Sequence, residues 1–286
     1  MPDPADLPAL RFARRAENDH TLLQGAWPAA VRIVAARASS DAALTVHTFA
    51  AAFAPISDAR LRRFALACRL LSDIPRLAPD GALAAQLEQH AILAELFPGD
   101  PRVWTALREI TARAAWARAE DELYRSGRRD IAELDEPAAT AHARASVVLP
   151  RFAAAGLALL AGDETALPAW ERGIDAYAEA RARLAAVIAC RDDVAAGRAT
   201  YVSARLAREE PTAYAEARIG APDVLAVRLY AGGIAAEMID RALAALAVAH
   251  ETLPHPVAAE WRELTALARR AASARVLLDE ARAIVR

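Results

Sequence analysis

Between Asp58 and Ile74 the apolar residues Leu61, Phe64, Ala65, Cys68, Leu71 and Ile74 return at intervals of three and four. That period places them on one face of an α-helix. Ala dominates the apolar residues of the chain, and alternating β-branched runs that would mark strands do not occur; both favour closely packed helices. Pro, Gly and small polar residues then cut the chain into helical lengths.

Trp27-Pro28 opens a helix to Ala38, Ser40 or Asp41 caps one that runs to Phe53, and Ser57 caps a third that Pro75 ends. A fourth spans Gly81 to Leu96 and stops at the Phe97-Pro98-Gly99-Asp100 turn. From Pro101 a long run carries Trp104, Leu107, Ile110, Ala114 and Trp116 to Tyr124, and Asp135 to Gly162 follows with a kink expected at Pro150. Further helices are predicted over Ala166–Arg208 and Asp223–Leu253, with a last one after Pro254-His255-Pro256. The expected fold is all-α, a single bundle of about ten helices over 27–286 after a loose N-terminal segment over 1–26.

The 286 residues carry a net charge of -2 with a pI near 6.3, so no basic footprint for nucleic acid is present. All 35 basic residues are Arg, so any phosphate contact falls to guanidinium groups. Cys68 and Cys190 are far apart and form neither a disulfide framework nor a CxxC metal motif. With no signal-like N-terminus and no charge-free apolar run of the roughly 18 to 20 residues that span a bilayer, the sequence reads as a soluble, cytoplasmic protein.

Within the predicted helix over Ala166–Arg208, the stretch Arg181 to Leu206 contains an adjacent acid pair, Asp192 and Asp193, among small apolar residues. Asp is a poor former of helix interiors and its carboxylate resists burial, so the pair reads as a site or the remnant of one. Phosphate-loop, dinucleotide, zinc-protease, serine-hydrolase and EF-hand motifs do not occur, and the six histidines never take a metal spacing. What remains is carboxylate and Arg on helices. Asp73 and Asp80 on one side and Asp192 and Asp193 on the other offer oxygen ligands for Mg²⁺, with Arg donors for the outer oxygens of a diphosphate. Asp73 is equally placed to pair with Arg69 one turn earlier on its own helix.

Three segments resemble the class I isoprenoid biosynthesis superfamily of trans-prenyl transferases, squalene and phytoene synthases and terpene cyclases. ELFPGDPRVW (Glu95 to Trp104) looks like the linker after the first aspartate-rich helix. AHARASVVLPRFAAAGLALLAGD (Ala141 to Asp163) is similar to the helix that often carries Lys-Thr before an apolar run. GRATYVSARLA (Gly197 to Ala207) resembles the Gly-Arg-x-Thr-Tyr that follows the second aspartate motif. The chain departs from the pattern where the metal motifs fall: the DDxxD place reads SDIPRLAPD, keeping Asp73 beside Ser72. Two registers exist for the second motif. Either Asp192-Asp193 are the metal pair, or they match a later acidic pair and the metal positions hold Ala185 and Ala186.

The resemblance implies a terpene synthase or prenyl transferase, a lyase or transferase of isoprenoid biosynthesis acting on a prenyl diphosphate in an apolar helical pocket. Its metal ligands would be Asp73, Asp192 and Asp193 holding Mg²⁺, and its diphosphate-binding residues Arg144, Arg191 and Arg198. Asp192, Asp193, Arg198 and Tyr201 would be catalytic, Tyr201 through its π face toward a carbocation. The other reading is a catalytically silent relative that binds a lipid-like ligand or an active homologous subunit. Either fits a homodimer, or a heterodimer with a prenyl synthase homologue.

Overall fold

A computed structural model describes residues 41–253 apart from 54, 77–78, 221–224, 226–227 and 231. The expected N-terminal segment, the helix at Trp27-Pro28 and the last helix after Pro254 lie outside the described residues. Among the described residues every regular element is a helix and there is no strand, as the apolar spacing predicts. The chain divides into two compact units. Within the described range, 41–111 and 148–171 with Leu253 form the first, and 112–147 and 172–252 form the second.

In the first unit, α1 (Asp41–Ala50), α2 (Asp58–Asp73) and α3 (Pro79–Leu96) follow in order, and α4 (Pro101–Arg125) begins there. Ser57 caps α2 as expected, its Oγ accepting the Arg60 N–H at 3.4 Å. α1 packs on α2 and α2 on α3, and both α1 and α2 pack on α6 (Val148–Ala161). Phe64 is fully buried at this junction, with ring centroids 6.1 Å from Phe97 and 5.8 Å from Phe152. The close approach depends on Gly156 of α6, where a Cβ would stand 2.1 Å from Phe64 Cζ. Buried Gln89 donates to the Ala67 carbonyl at 3.2 Å and ties α3 to α2. Phe49 and Phe53 pack on Trp170 at centroid distances of 5.0 and 4.8 Å.

The second unit holds α5 (Glu136–Ser146), the larger part of α7 (Leu167–Ile188), α8 (Cys190–Ala195), α9 (Tyr201–Glu209), α10 (Pro211–Arg218) and α11 (Ile234–Thr252). Its core gathers Leu134, Val187, Val194, Val202, Leu206 and Met238.

Several boundaries differ from expectation. The chain leaves helical geometry at Val147 (φ -91°, ψ 70°), and Pro150 lies in the first turn of α6, where a missing N–H costs nothing. Pro211 opens α10 at its first turn. Gly232-Gly233, with Gly233 at φ 85°, precedes α11, so that helix starts at Ile234. The helix expected over Ala166–Arg208 is three helices, interrupted at Ala189 (φ -94°, ψ 10°) and again at 196–200. Asp192 and Asp193 therefore lie in the first turn of a six-residue helix, where carboxylates suit the dipole, and not in a long helix interior.

Candidate functional site

α8 turns one face inward. Cys190, Asp193 and Val194 are buried, while Arg191 and Asp192 are exposed. The helix ends in a Schellman motif: Gly197 takes φ 65°, its N–H donates to the Val194 carbonyl at 3.1 Å, and the Arg198 N–H donates to the Asp193 carbonyl at 2.8 Å. That turn carries the Arg198 side chain back over Asp193, and Nη1 donates to Oδ1 at 3.2 Å. Burial pushes the Asp193 carboxyl above its ordinary value, outweighing the opposite pull of Arg198.

Two residues further on, Thr200 starts α9. Its Oγ1 accepts the Ser203 N–H at 3.1 Å and Ser203 Oγ accepts the Thr200 N–H at 2.8 Å, a reciprocal capping box. Gly197 to Tyr201 thus forms a stop–start joint between α8 and α9, and each of its characteristic residues has a local backbone or side-chain task.

Tyr201 is the first residue of α9 and is buried. Its hydroxyl donates to Thr140 Oγ1 at 2.9 Å, and burial pushes its phenol pKa up. The Arg183 guanidinium lies over the ring, 4.6 Å from the centroid, in a cation–π contact. Arg183, itself only 6% exposed, donates to Glu179 Oε2 at 3.0 Å and to Glu136 Oε1 at 3.3 Å. Arg144 reaches the other oxygen of Glu179 at 2.6 and 2.8 Å, and Asp175 at 3.8 Å. Arg144 and Tyr201, both expected at the site, are therefore joined through Glu179 and Arg183. Burial raises the Cys190 thiol to about 11, so neither Cys190 nor Tyr201 is an ionised nucleophile at neutral pH.

Beside Tyr201 a cavity of about 220 Å³ opens, walled by Leu134 and Met238 and lined by charged groups of α5, α9 and α11. Arg205 pairs with Glu209 at 2.8 Å and with Glu237, and Arg241 pairs with Glu237 at 2.7 Å and with Glu136. The Arg241 hydrogen bond, with Arg183 behind it, holds Glu136 below the usual carboxylate range.

Asp73 belongs to the first unit. It is buried at the last residue of α2, with Arg69 Nε 4.0 Å from Oδ2, as the spacing of four residues allows. Asp80 is exposed in the first turn of α3. Mg²⁺ asks for a near-octahedral shell of oxygens. The acid pair presents one exposed carboxylate, Asp192, and one carboxylate held by a guanidinium, Asp193. Among the described residues no three His, Cys, Asp or Glu side chains are grouped to hold a metal. No single described helix is long and apolar enough to cross a membrane. Compared with known families, curated proteins and solved structures, the chain matches none.

Arg183, Glu179 and the Arg205–Glu237–Arg241 group were not among the candidates drawn from the sequence. Glu179–Arg183, Arg205–Glu209 and Glu237–Arg241 are all spaced by four residues within helices, the signal that marks them as side-chain pairs.

Proposed function

We propose that this chain is an isoprenoid-synthase-like helical protein of the cytoplasm whose acid pair serves the fold, and which binds a lipid-like ligand or an active homologous subunit in place of ionising a prenyl diphosphate. The observation that carries this reading is the double closure of Arg198 on Asp193, through the backbone at 2.8 Å and the side chain at 3.2 Å. It favours the register in which Asp192-Asp193 match the later acidic pair and the metal positions hold Ala185 and Ala186. Arg144, resembling a diphosphate contact in sequence, spends two N–H groups on Glu179, consistent with the same reading.

The test is incubation of purified protein with Mg²⁺ and prenyl diphosphates of ten to twenty carbons, following diphosphate release. No release is expected, and co-expression with a homologous prenyl synthase is expected to yield a complex. Release that Asp192→Asn abolishes would overturn this reading in favour of a terpene synthase or prenyl transferase. The exposure of Arg191 and Asp192 on α8 is the observation that favours that second reading.

A further inference from the structure

The cavity beside Tyr201 has two charges that its own ion pairs leave unmatched. Arg205 and Arg241 are engaged by Glu136, Glu209 and Glu237. Arg208 is different: its Nη1 donates to the Leu134 carbonyl at 2.6 Å and the Ala132 carbonyl at 3.3 Å, both neutral acceptors. Asp135, the residue after Leu134, spends one oxygen on the Ala138 N–H at 2.8 Å as the N-cap of α5. Among the described residues neither has an oppositely charged side chain within 4.0 Å, and the two do not pair with each other although Arg208 grips the adjacent carbonyl. Both line the cavity, whose remaining wall includes Leu134, Tyr201 and Met238.

A lone anion entering here meets Asp135, Glu209 and Glu237, and a lone cation meets Arg205, Arg208 and Arg241, so either is opposed by like charge. A molecule carrying both signs on a short carbon chain satisfies both unmatched groups and lays its methylenes on the apolar wall. At about 220 Å³ the cavity lies below the size range of drug-like ligands, which restricts it to small molecules. Both polar groups are fixed in advance, Arg208 by two carbonyls and Asp135 by a peptide N–H, so little ordering is needed on binding. We infer that this cavity is a binding site for a small amino-carboxylate zwitterion, its carboxylate on Arg208 and its ammonium on Asp135. The assignment does not rest on the prenyl chemistry considered above.

Isothermal titration of the full chain with glycine, β-alanine and γ-aminobutyrate tests it, with butyrate, butylamine and inorganic phosphate as single-charge probes. At least one amino-carboxylate is expected to bind roughly tenfold or more tighter than any single-charge probe, since each paired end adds a charge-assisted contact. Asp135→Asn keeps the helix cap and Arg208→Gln keeps a donor for the carbonyls, and each is expected to weaken binding by roughly tenfold or more. Asp80→Asn, in the other unit, is expected to leave it unchanged. Absence of binding by all three amino-carboxylates, equal binding of a single-charge probe, or binding indifferent to folded Asp135→Asn overturns the assignment.

Discussion

Arg198 holds Asp193 at two points, its peptide N–H on the carbonyl at 2.8 Å and its Nη1 on the carboxylate at 3.2 Å. The pair is five residues apart, a spacing that a continuous helix does not bring together. Only the left-handed turn at Gly197, φ 65°, allows it.

Replacing Gly197 with Ala forces a Cβ into that left-handed conformation. The site is not crowded, since the nearest atom to such a Cβ, Arg218 Nη2, is 3.4 Å away, so the penalty is conformational. Urea denaturation of Gly197→Ala is expected to show a loss of about 1–2 kcal/mol. Thr200→Ala, which removes the cap of α9, is expected to cost about 1 kcal/mol by the same measurement.

Asp193 gives the fold a pH dependence of definite sign. Its folded pKa is raised above the ordinary 3.8 by burial, so the folded chain holds this proton more tightly than the unfolded one. Its contribution is fully present below 3.8 and is lost as pH rises through the raised value. The melting temperature of Asp193→Asn, which lacks this titration, is therefore expected to gain on the parent's as pH climbs from 3.8 toward neutrality. A parent that gains on Asp193→Asn over that interval would contradict the assignment.

Among the described residues of the second unit Arg183 is the buried cation, and Glu179 and Glu136 keep Arg144 and Arg241 when it is removed. Arg183→Met is accordingly expected to cost about 2–3 kcal/mol in chemical denaturation, short of the 3–5 for a pair broken with no second partner. Arg183→Lys retains the charge but not the planar fork over Tyr201, and is expected to fall between Met and the parent.

At Gly156 two effects oppose each other. Ala gains about 1 kcal/mol over Gly in a helix interior, whereas overpacking a filled core costs about 1–3 kcal/mol. A Cβ would sit 2.1 Å from Phe64 Cζ, and that ring is enclosed by Phe97 and Phe152, so overpacking wins. Gly156→Ala is expected to lower the melting temperature, and Phe64→Leu in the same chain to recover part of the loss.

The all-α architecture and many helix ends were legible in the sequence because their signals are local: Ser57 as a cap, Pro101 at a first turn and the apolar face of α2. The break at Ala189 was not, since Ala-Val-Ile-Ala-Cys contains no residue that stops a helix. Pro150 was misread for a related reason: Pro marks the neighbourhood of a boundary but is accepted in a first turn, so it does not fix the side on which the helix lies. At the candidate site the acid pair was legible by its composition. Its partner was not, because the Asp193–Arg198 contact exists only once the chain turns at Gly197. The Arg183–Tyr201 contact joins residues of different helices, and spacing along the chain carries no trace of it.

The joint between α8 and α9 also sets a reach. Only Arg198 and Ala199 stand between the turn at Gly197 and the cap at Thr200, so adding or removing one residue there would displace the start of α9 relative to α8. Tyr201 would leave Arg183 and Thr140, and Arg205 and Arg208 would be carried away from Glu237 and the Leu134 carbonyl. Substitutions in this loop are graded in effect, whereas a change in its length acts on every contact of α9 at once.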